Sequence, residues 1–200
     1  MMESLVAPEN EIFPNRRRWT RQQCERLAEK GELTGRYELI DGEIISKMGQ
    51  NAPHSVGLML MGQWLVSVFG YILVRIQSPI VITSRLGDTN EPEPDIAVTR
   101  EPSTAYFPRQ PGPADVRLIV EVSDATLRFD LKTKALLYAR VGIPEYLVFD
   151  VAGRQIHRHR APMRSGYREI VILGENDSLA ILDRPETICV GELLPSAPGA

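Results

Sequence analysis

The sequence predicts an α/β (α+β) fold, a mixed β-sheet flanked by helices with an N-terminal helix and a β-hairpin ahead of it. Three observations lead there. A helical pattern comes first and strand patterns follow. A strand–helix–strand unit occupies the middle of the chain. VRLIVEVS (116–123) is so continuously apolar that it reads as a central strand covered on both faces.

Residues 1–18 are polar, contain Pro8 and Pro14, and read as a flexible arm before a single domain over 19–195. Thr20 is placed to cap a helix over 21–30, with Gly31 beyond its end. In YELI-DG-EII (37–45) two short apolar-alternating runs flank Asp41-Gly42, and a tight I′ turn needs positive φ there, so this is a hairpin. An uncharged helix over 54–69 follows, then a turn at Gly70 and a buried strand over 71–76. Another strand spans 80–84. GDTNEPEP (87–94) reads as a turn-rich acidic loop leading into a strand over 95–99. After a loop over 101–113 comes the central strand. Ser123 or Asp124 caps the next helix, which runs to about 141, where Gly142 and Pro144 stop it. Strands follow at 145–151, 154–160 and 167–173, then a tail of short strands and turns.

Two hundred residues suit one domain. Hydrophobic content of 43% and charged content of 24% exclude disordered, collagen-like and disulfide-scaffold proteins. Cys24 and Cys189 form no zinc motif and fit a cytoplasmic location. The first eighteen residues lack the apolar core of a signal peptide. Nineteen uncharged residues over 56–74 are long enough to span a bilayer. Gly57, Gly62, Gly70, Gln63 and Ser67 interrupt them, so they are read as a buried helix and strand with no membrane partner. The net charge of −3 and pI of about 5.7 speak, in bulk, against a nucleic-acid binder.

Two polar positions stand out in otherwise apolar strands. Asp95 opens a strand after a Pro-rich loop, and Glu121 sits inside LIVEV, where an unpaired carboxylate is very costly. With period-2 alternation Arg117, Ile119, Glu121 and Ser123 share one face. Glu121 is then either the partner of an arginine or, with Asp95, half of a hard oxygen site suited to Mg²⁺. Asp130, Lys134 and Tyr138 are spaced four apart on one helical face. That spacing serves an Asp130–Lys134 pair, or a Lys134 leaning toward a water or phosphate near Glu121. His54 begins the uncharged helix, either as a cap or as a neighbour of the carboxylates. Glu38, in YELI, reads by itself as a solvated strand residue.

YELIDGEI (37–44), Pro53-His54, Pro94-Asp95-Ile-Ala-Val, Glu121-Val-Ser, Asp130, Lys134, Tyr138, Gly142-Ile-Pro-Glu-Tyr and Asp150 form an ordered set. That set resembles the Uma-type restriction endonuclease family of bacteria, within the PD-(D/E)xK nuclease-like superfamily. The resemblance implies a restriction-endonuclease-like core and a Mg²⁺-dependent DNA endonuclease, with Mn²⁺ as a substitute. It implies that Asp95 and Glu121 hold the metal and that Glu38 completes the site. The superfamily lysine belongs two residues after Glu121, where this chain has Ser123. The resemblance places that role on Lys134, with Asp130 orienting Lys134 or touching the metal's water shell and His54 as an auxiliary group. The implied products carry a 5′-phosphate and a 3′-hydroxyl.

DNA needs a basic surface, and the average charge conceals one. Residues 151–168 hold Arg154, Arg158, Arg160, Arg164 and Arg168 and no acid. On a strand, Arg154, Arg158 and Arg160 share a face and form the expected phosphate-binding row. Arg16, Arg17 and Arg18 add a second cluster, while Asp88, Glu91, Glu93 and Asp95 gather negative charge near the expected metal. The alternative reading is a catalytically silent nuclease fold that binds nucleic acid or a regulatory partner, in keeping with Ser123 and the acidic pI. The apolar helix suggests a homodimer in which a second copy covers it.

Overall fold

β7 (Val116–Ser123) and β8 (Glu145–Asp150) are buried along their length except at Arg117. Strands this apolar are stable only inside a sheet covered on both faces. The computed structural model, which describes residues 18–47, 49–84, 87–107 and 109–195, places them there. Apart from Arg18, the expected N-terminal arm and its basic cluster lie outside the described residues.

The central sheet has six strands, in the order β10 (Gly166–Gly174), β9 (Gln155–Met163), β8, β7, β6 (Ile96–Thr99), β3 (Val74–Ile76). β7 and β8 run parallel and the other neighbours antiparallel, so the sheet is mixed. The helical crossover between β7 and β8 makes their parallel pairing feasible.

α2 (Ala52–Phe69) covers one face through Met61, Trp64, Leu65 and Phe69, which join Leu118, Val120, Leu147 and Phe149 in the larger core. Gly57 permits this, because a Cβ there would stand 3.2 Å from Phe149 and 3.4 Å from Val122. Leu179, Ile181, Val190 and Leu193, from the C-terminal segment, pack into the same core, so the chain itself covers much of α2. The opposite face carries α3 (Leu127–Phe129), a π-helical turn Asp130–Lys134 and α4 (Ala135–Arg140), with Ile119, Tyr138, Tyr146 and Val148 between. α1 (Arg21–Glu29) starts at Thr20 with a capping box to Gln23. β1 (Tyr37–Ile40) and β2 (Glu43–Ser46) pair antiparallel across Asp41-Gly42, both at positive φ (48° and 80°), as a tight turn requires. The tail contributes β11 (Ser178–Ala180) and β12 (Thr187–Cys189).

The structure departs from the expected elements at five places. Tyr71–Leu73 is a 3₁₀ turn, leaving only Val74–Ile76 as strand. The expected acidic loop is partly strand: β5 (Gly87–Asn90) pairs with β4 (Ile82–Ser84), and Leu39 bridges Glu91. The helix after β7 starts at Leu127 rather than at Ser123 or Asp124, since Ser123 is still paired with Asp150. A register shift between Val98 and Thr99 makes a bulge opposite Arg117, so Arg117 does not share the face of Glu121; its guanidinium lies 5.5 Å over the Phe69 ring. Arg154 (φ 51°) sits in the turn before β9 and not on the strand with Arg158 and Arg160. No helix among the described residues is long and apolar enough to cross a membrane, and α2 ends at Phe69 against the 3₁₀ turn.

Candidate active site

Ile96 pairs with Val120, so one further step of the antiparallel register sets Asp95 opposite Glu121. Both open onto a cavity of about 410 Å³ at the end of the sheet, which Glu38, Lys47, His54, Asp130 and Lys134 also line. Four segments distant in sequence meet there: the hairpin, the start of α2, the β6–β7 edge and the π-helical turn.

Glu121 is 2% exposed. Its Oε1 accepts from the Tyr138 hydroxyl at 2.9 Å and stands 3.0 Å from Lys134 Nζ. Burial pushes its carboxyl well above the usual range; the Lys134 charge opposes this, and Asp130, Glu38 and Asp95 add to it. Asp95 behaves differently. Burial raises its pKa, but the hydrogen bond with His54 Nε2 (3.2 Å) and the Val122 N–H donated to Oδ2 (2.9 Å) hold it below the ordinary value. Gln77 donates to its other oxygen at 3.3 Å. Two carboxyls facing each other thus have opposed proton affinities, a pattern that marks functional sites.

Lys134 is the main cation of the cavity. Its Nζ is 3.0 Å from Glu38 Oε1, 3.0 Å from Glu121 Oε1 and 3.8 Å from Asp130 Oδ1, and it is 4% exposed. Burial disfavours its charge, but Glu121, Glu38 and Asp130 outweigh burial and raise its pKa. Ser123, in the expected lysine position, donates to Asp130 Oδ2 at 2.7 Å, and Thr126 donates to the same oxygen at 2.6 Å. Burial leaves the Asp130 carboxyl above its usual range despite these bonds. The side chain at 123 anchors the turn that delivers the lysine from 134.

Glu38, which reads by itself as solvated but which the resemblance places in the site, is 3% exposed, and it also accepts from the Glu93 N–H at 2.9 Å. Tertiary docking of the hairpin onto the π-helical turn buries it. His54 reaches Asp95, while Asn51, and not His54, caps α2. Among the described residues, the buried His54 Nδ1 has no hydrogen-bond partner. Sequence reasoning missed Lys47, whose Nζ donates to the Glu93 carbonyl at 2.7 Å and lies 3.5 Å from Glu38. It missed Gln77 as well. Neither carried a sequence signal, because Lys47 reaches the Glu93 carbonyl across 46 residues and Gln77 reaches Asp95 across 18. Of the expected acidic cluster, Asp95 lines the cavity, Glu93 pairs with Arg36 and Lys47, and Asp88 pairs with Arg21 on α1.

Asp95, Glu121, Glu38 and Asp130 offer hard oxygen donors in excess over Lys134 and Lys47, a donor set that fits Mg²⁺. Among the described residues no three His, Cys, Asp or Glu side chains form a complete ligand cluster. A Mg²⁺ ion held at this cavity would take Asp95 and Glu121 as its carboxylate ligands and draw the rest of its shell from water.

The arginines expected to bind phosphate are placed elsewhere. Arg158 pairs in register with Leu147 and Arg160 with Glu145, on the face opposite Glu121. Arg160 Nε donates to Glu145 at 3.0 Å, and both arginines donate to the Ala180 carbonyl. Arg154 is paired with Glu175 and with the Pro195 carbonyl. Nearest the cavity, Arg36 and Lys47 line its rim.

The sequence profile of the Uma2 family, described as "Putative restriction endonuclease", matches residues 21–187. The chain belongs to the Uma2 family. A crystal structure of a protein from Anabaena variabilis ATCC 29413, described as "a putative nuclease belonging to DUF820", is similar to it with a TM-score of 0.60 at 18% identity. The superposition covers 84% of this chain and 96% of that one, so the two share the fold. No curated protein matches the sequence at a significant level. The Uma2 match extends over all the cavity residues, from Arg36 to Lys134.

Proposed function

We propose that this Uma2 protein is a Mg²⁺-dependent DNA endonuclease, with Mn²⁺ as a substitute cofactor, and that Asp95, Glu121, Lys134, Glu38 and His54 form its catalytic site. The observation that carries the reading is Lys134 Nζ at 3.0 Å from Glu121 Oε1, in a cavity that Asp95 also lines. A lysine absent from the strand is supplied from the helix.

A bound Mg²⁺ would polarise the phosphodiester and lower the pKa of a coordinated water. The chain's own groups do the rest. Asp95 stays ionised at neutral pH, fixed by His54 and the Val122 amide. Tyr138 orients the Glu121 carboxylate by donating to it. Lys134 neutralises Glu121 and Glu38 and places positive charge beside the reacting phosphate. Lys47 and Arg36, at the rim, meet the flanking phosphates, the role expected earlier of Arg154, Arg158 and Arg160.

Incubation of supercoiled and linear DNA with Mg²⁺ or Mn²⁺ tests this. Cleavage that Asp95→Ala and Glu121→Ala each abolish is the expected result. Undiminished metal-dependent cleavage in both variants would refute the site. DNA retention that weakens with salt, without turnover at any metal concentration, would make the protein a silent nuclease fold instead.

A further inference from the structure

The six-stranded sheet ends at β10, which has β9 on one side and, among the described residues, no strand on the other. Free edges are ordinarily blunted by Lys, Pro or short length. β10 has nine residues, GYREIVILG, with neither Lys nor Pro. Ile170, Val171 and Ile172 are 57%, 42% and 55% exposed. Consecutive residues of a strand point to opposite faces, so apolar side chains are bare on both sides of this edge. The active-site reading gives none of them a task.

We propose that β10 pairs antiparallel with β10 of a second copy across a two-fold axis, joining the two sheets into one of twelve strands. Charge polarity along the strand selects a second copy. The turn before the strand carries Arg164 and the turn after it Glu175 and Asp177; on the strand itself Arg168 pairs with Glu169, and Glu175 is held by Arg154, so Arg164 and Asp177 set the polarity. Antiparallel pairing sets each basic end beside the partner's acidic turn. A parallel arrangement would oppose like charges. A two-fold centred on Val171 also sets Ile170 against the partner's Ile172, and cross-strand apolar pairs of this kind stabilise sheets. Such an interface is isologous and closes on itself, so it yields a dimer and not a fibre. It also relocates the expected homodimer contact, because the chain's own C-terminal segment packs over α2. The proposal does not depend on nuclease activity.

Light scattering on the eluting full-length protein tests it. The expected mass is twice the 22.4 kDa protomer, falling to that of the protomer in Ile170→Lys/Ile172→Lys with an unchanged circular dichroism spectrum. A protomer mass for the wild-type chain at high micromolar concentration overturns the proposal and leaves the edge to some other strand. A dimer that survives the double substitution with its fold intact overturns it too. Should the lysine variant unfold, Val171→Cys decides: a two-fold at this residue gives a disulfide-linked dimer on mild oxidation, while Cys24 and Cys189 alone give none, and failure of the Val171→Cys chain to cross-link rejects the pairing.

Discussion

Lys134 has three carboxylates within 3.8 Å and almost no solvent. Its removal would leave Glu38, Glu121 and Asp130 buried without their cation. Lys134→Met is therefore expected to cost about 3–5 kcal/mol of stability, read by urea denaturation, besides abolishing cleavage. A loss below about 1 kcal/mol would mean that the carboxylates relax into water or take up protons freely. Lys47 stands nearer the surface and donates to a backbone carbonyl. Lys47→Ala should cost only about 1–2 kcal/mol of stability yet lower turnover at least about tenfold, with a shallower salt dependence of DNA binding. At this scale Glu121 was legible, because a carboxylate in an apolar strand needs a reason, whereas Asp95, just ahead of β6, reads alone as turn chemistry beside Pro94 and joined the site through the family resemblance. Lys134 became legible only through the family resemblance. Glu38 and Lys47 were not legible as a pair, because an alternating hairpin looks alike whether its polar face meets water or another element.

The π-helical turn over Asp130–Lys134 is tied to the end of β7 by Ser123, which donates to Asp130. π-bulges concentrate at functional sites because one extra residue rotates the following side chains. Here Asp130 and Lys134 both turn inward, although α-helical spacing alone would give an ordinary surface i,i+4 pair. The hairpin's tight turn holds the opposite wall. The Trp19 N–H donates to the Gly42 carbonyl at 2.8 Å, and a Cβ on Gly42 would lie 2.7 Å from Arg18 Cβ. With φ at 80° as well, Gly42→Ala should lose about 1–2 kcal/mol, measured by thermal or urea unfolding. An unchanged stability would show that the segment entering α1 does not dock on the turn. Asp41-Gly42 announced this hairpin in the sequence. The β4–β5 pairing went unseen because turn-prone residues and a short strand are compatible when a neighbour supplies the ladder.

Stability of the whole molecule should respond to mild acid. His159 is buried among Tyr146 and Tyr167, and burial lowers its pKa below 6.5, partly countered by hydrogen bonds to the Tyr146 and His157 carbonyls. His157 is lowered for the same reason, with Asp150 opposing. Both rings are held neutral in the folded protein and gain a proton near pH 6.5 when unfolded. The unfolded chain therefore binds more protons below that pH, and stability present above it is lost as the pH falls from 6.5 toward the folded values. His159 alone contributes up to about 1.4 kcal/mol per pH unit in that window. The melting temperature should fall between pH 7.5 and 5.5, and less steeply in His159→Gln; parallel slopes would assign the effect to other groups.

The sequence by itself determined the strand–helix–strand centre, the hairpin, the long uncharged helix and the anomaly of a carboxylate at Glu121 inside an apolar strand. Each of these follows from local periodicity, turn chemistry or the cost of a buried charge. Tertiary structure alone decided that α2 is covered largely by the chain's own C-terminal segment, and that Arg158 and Arg160 face away from Glu121. It also decided that Lys134 closes on Glu38 from 96 residues away. The physical reason is common to all three. Spacing along a chain specifies which face a side chain takes, but what covers that face depends on segments with no local relation to it.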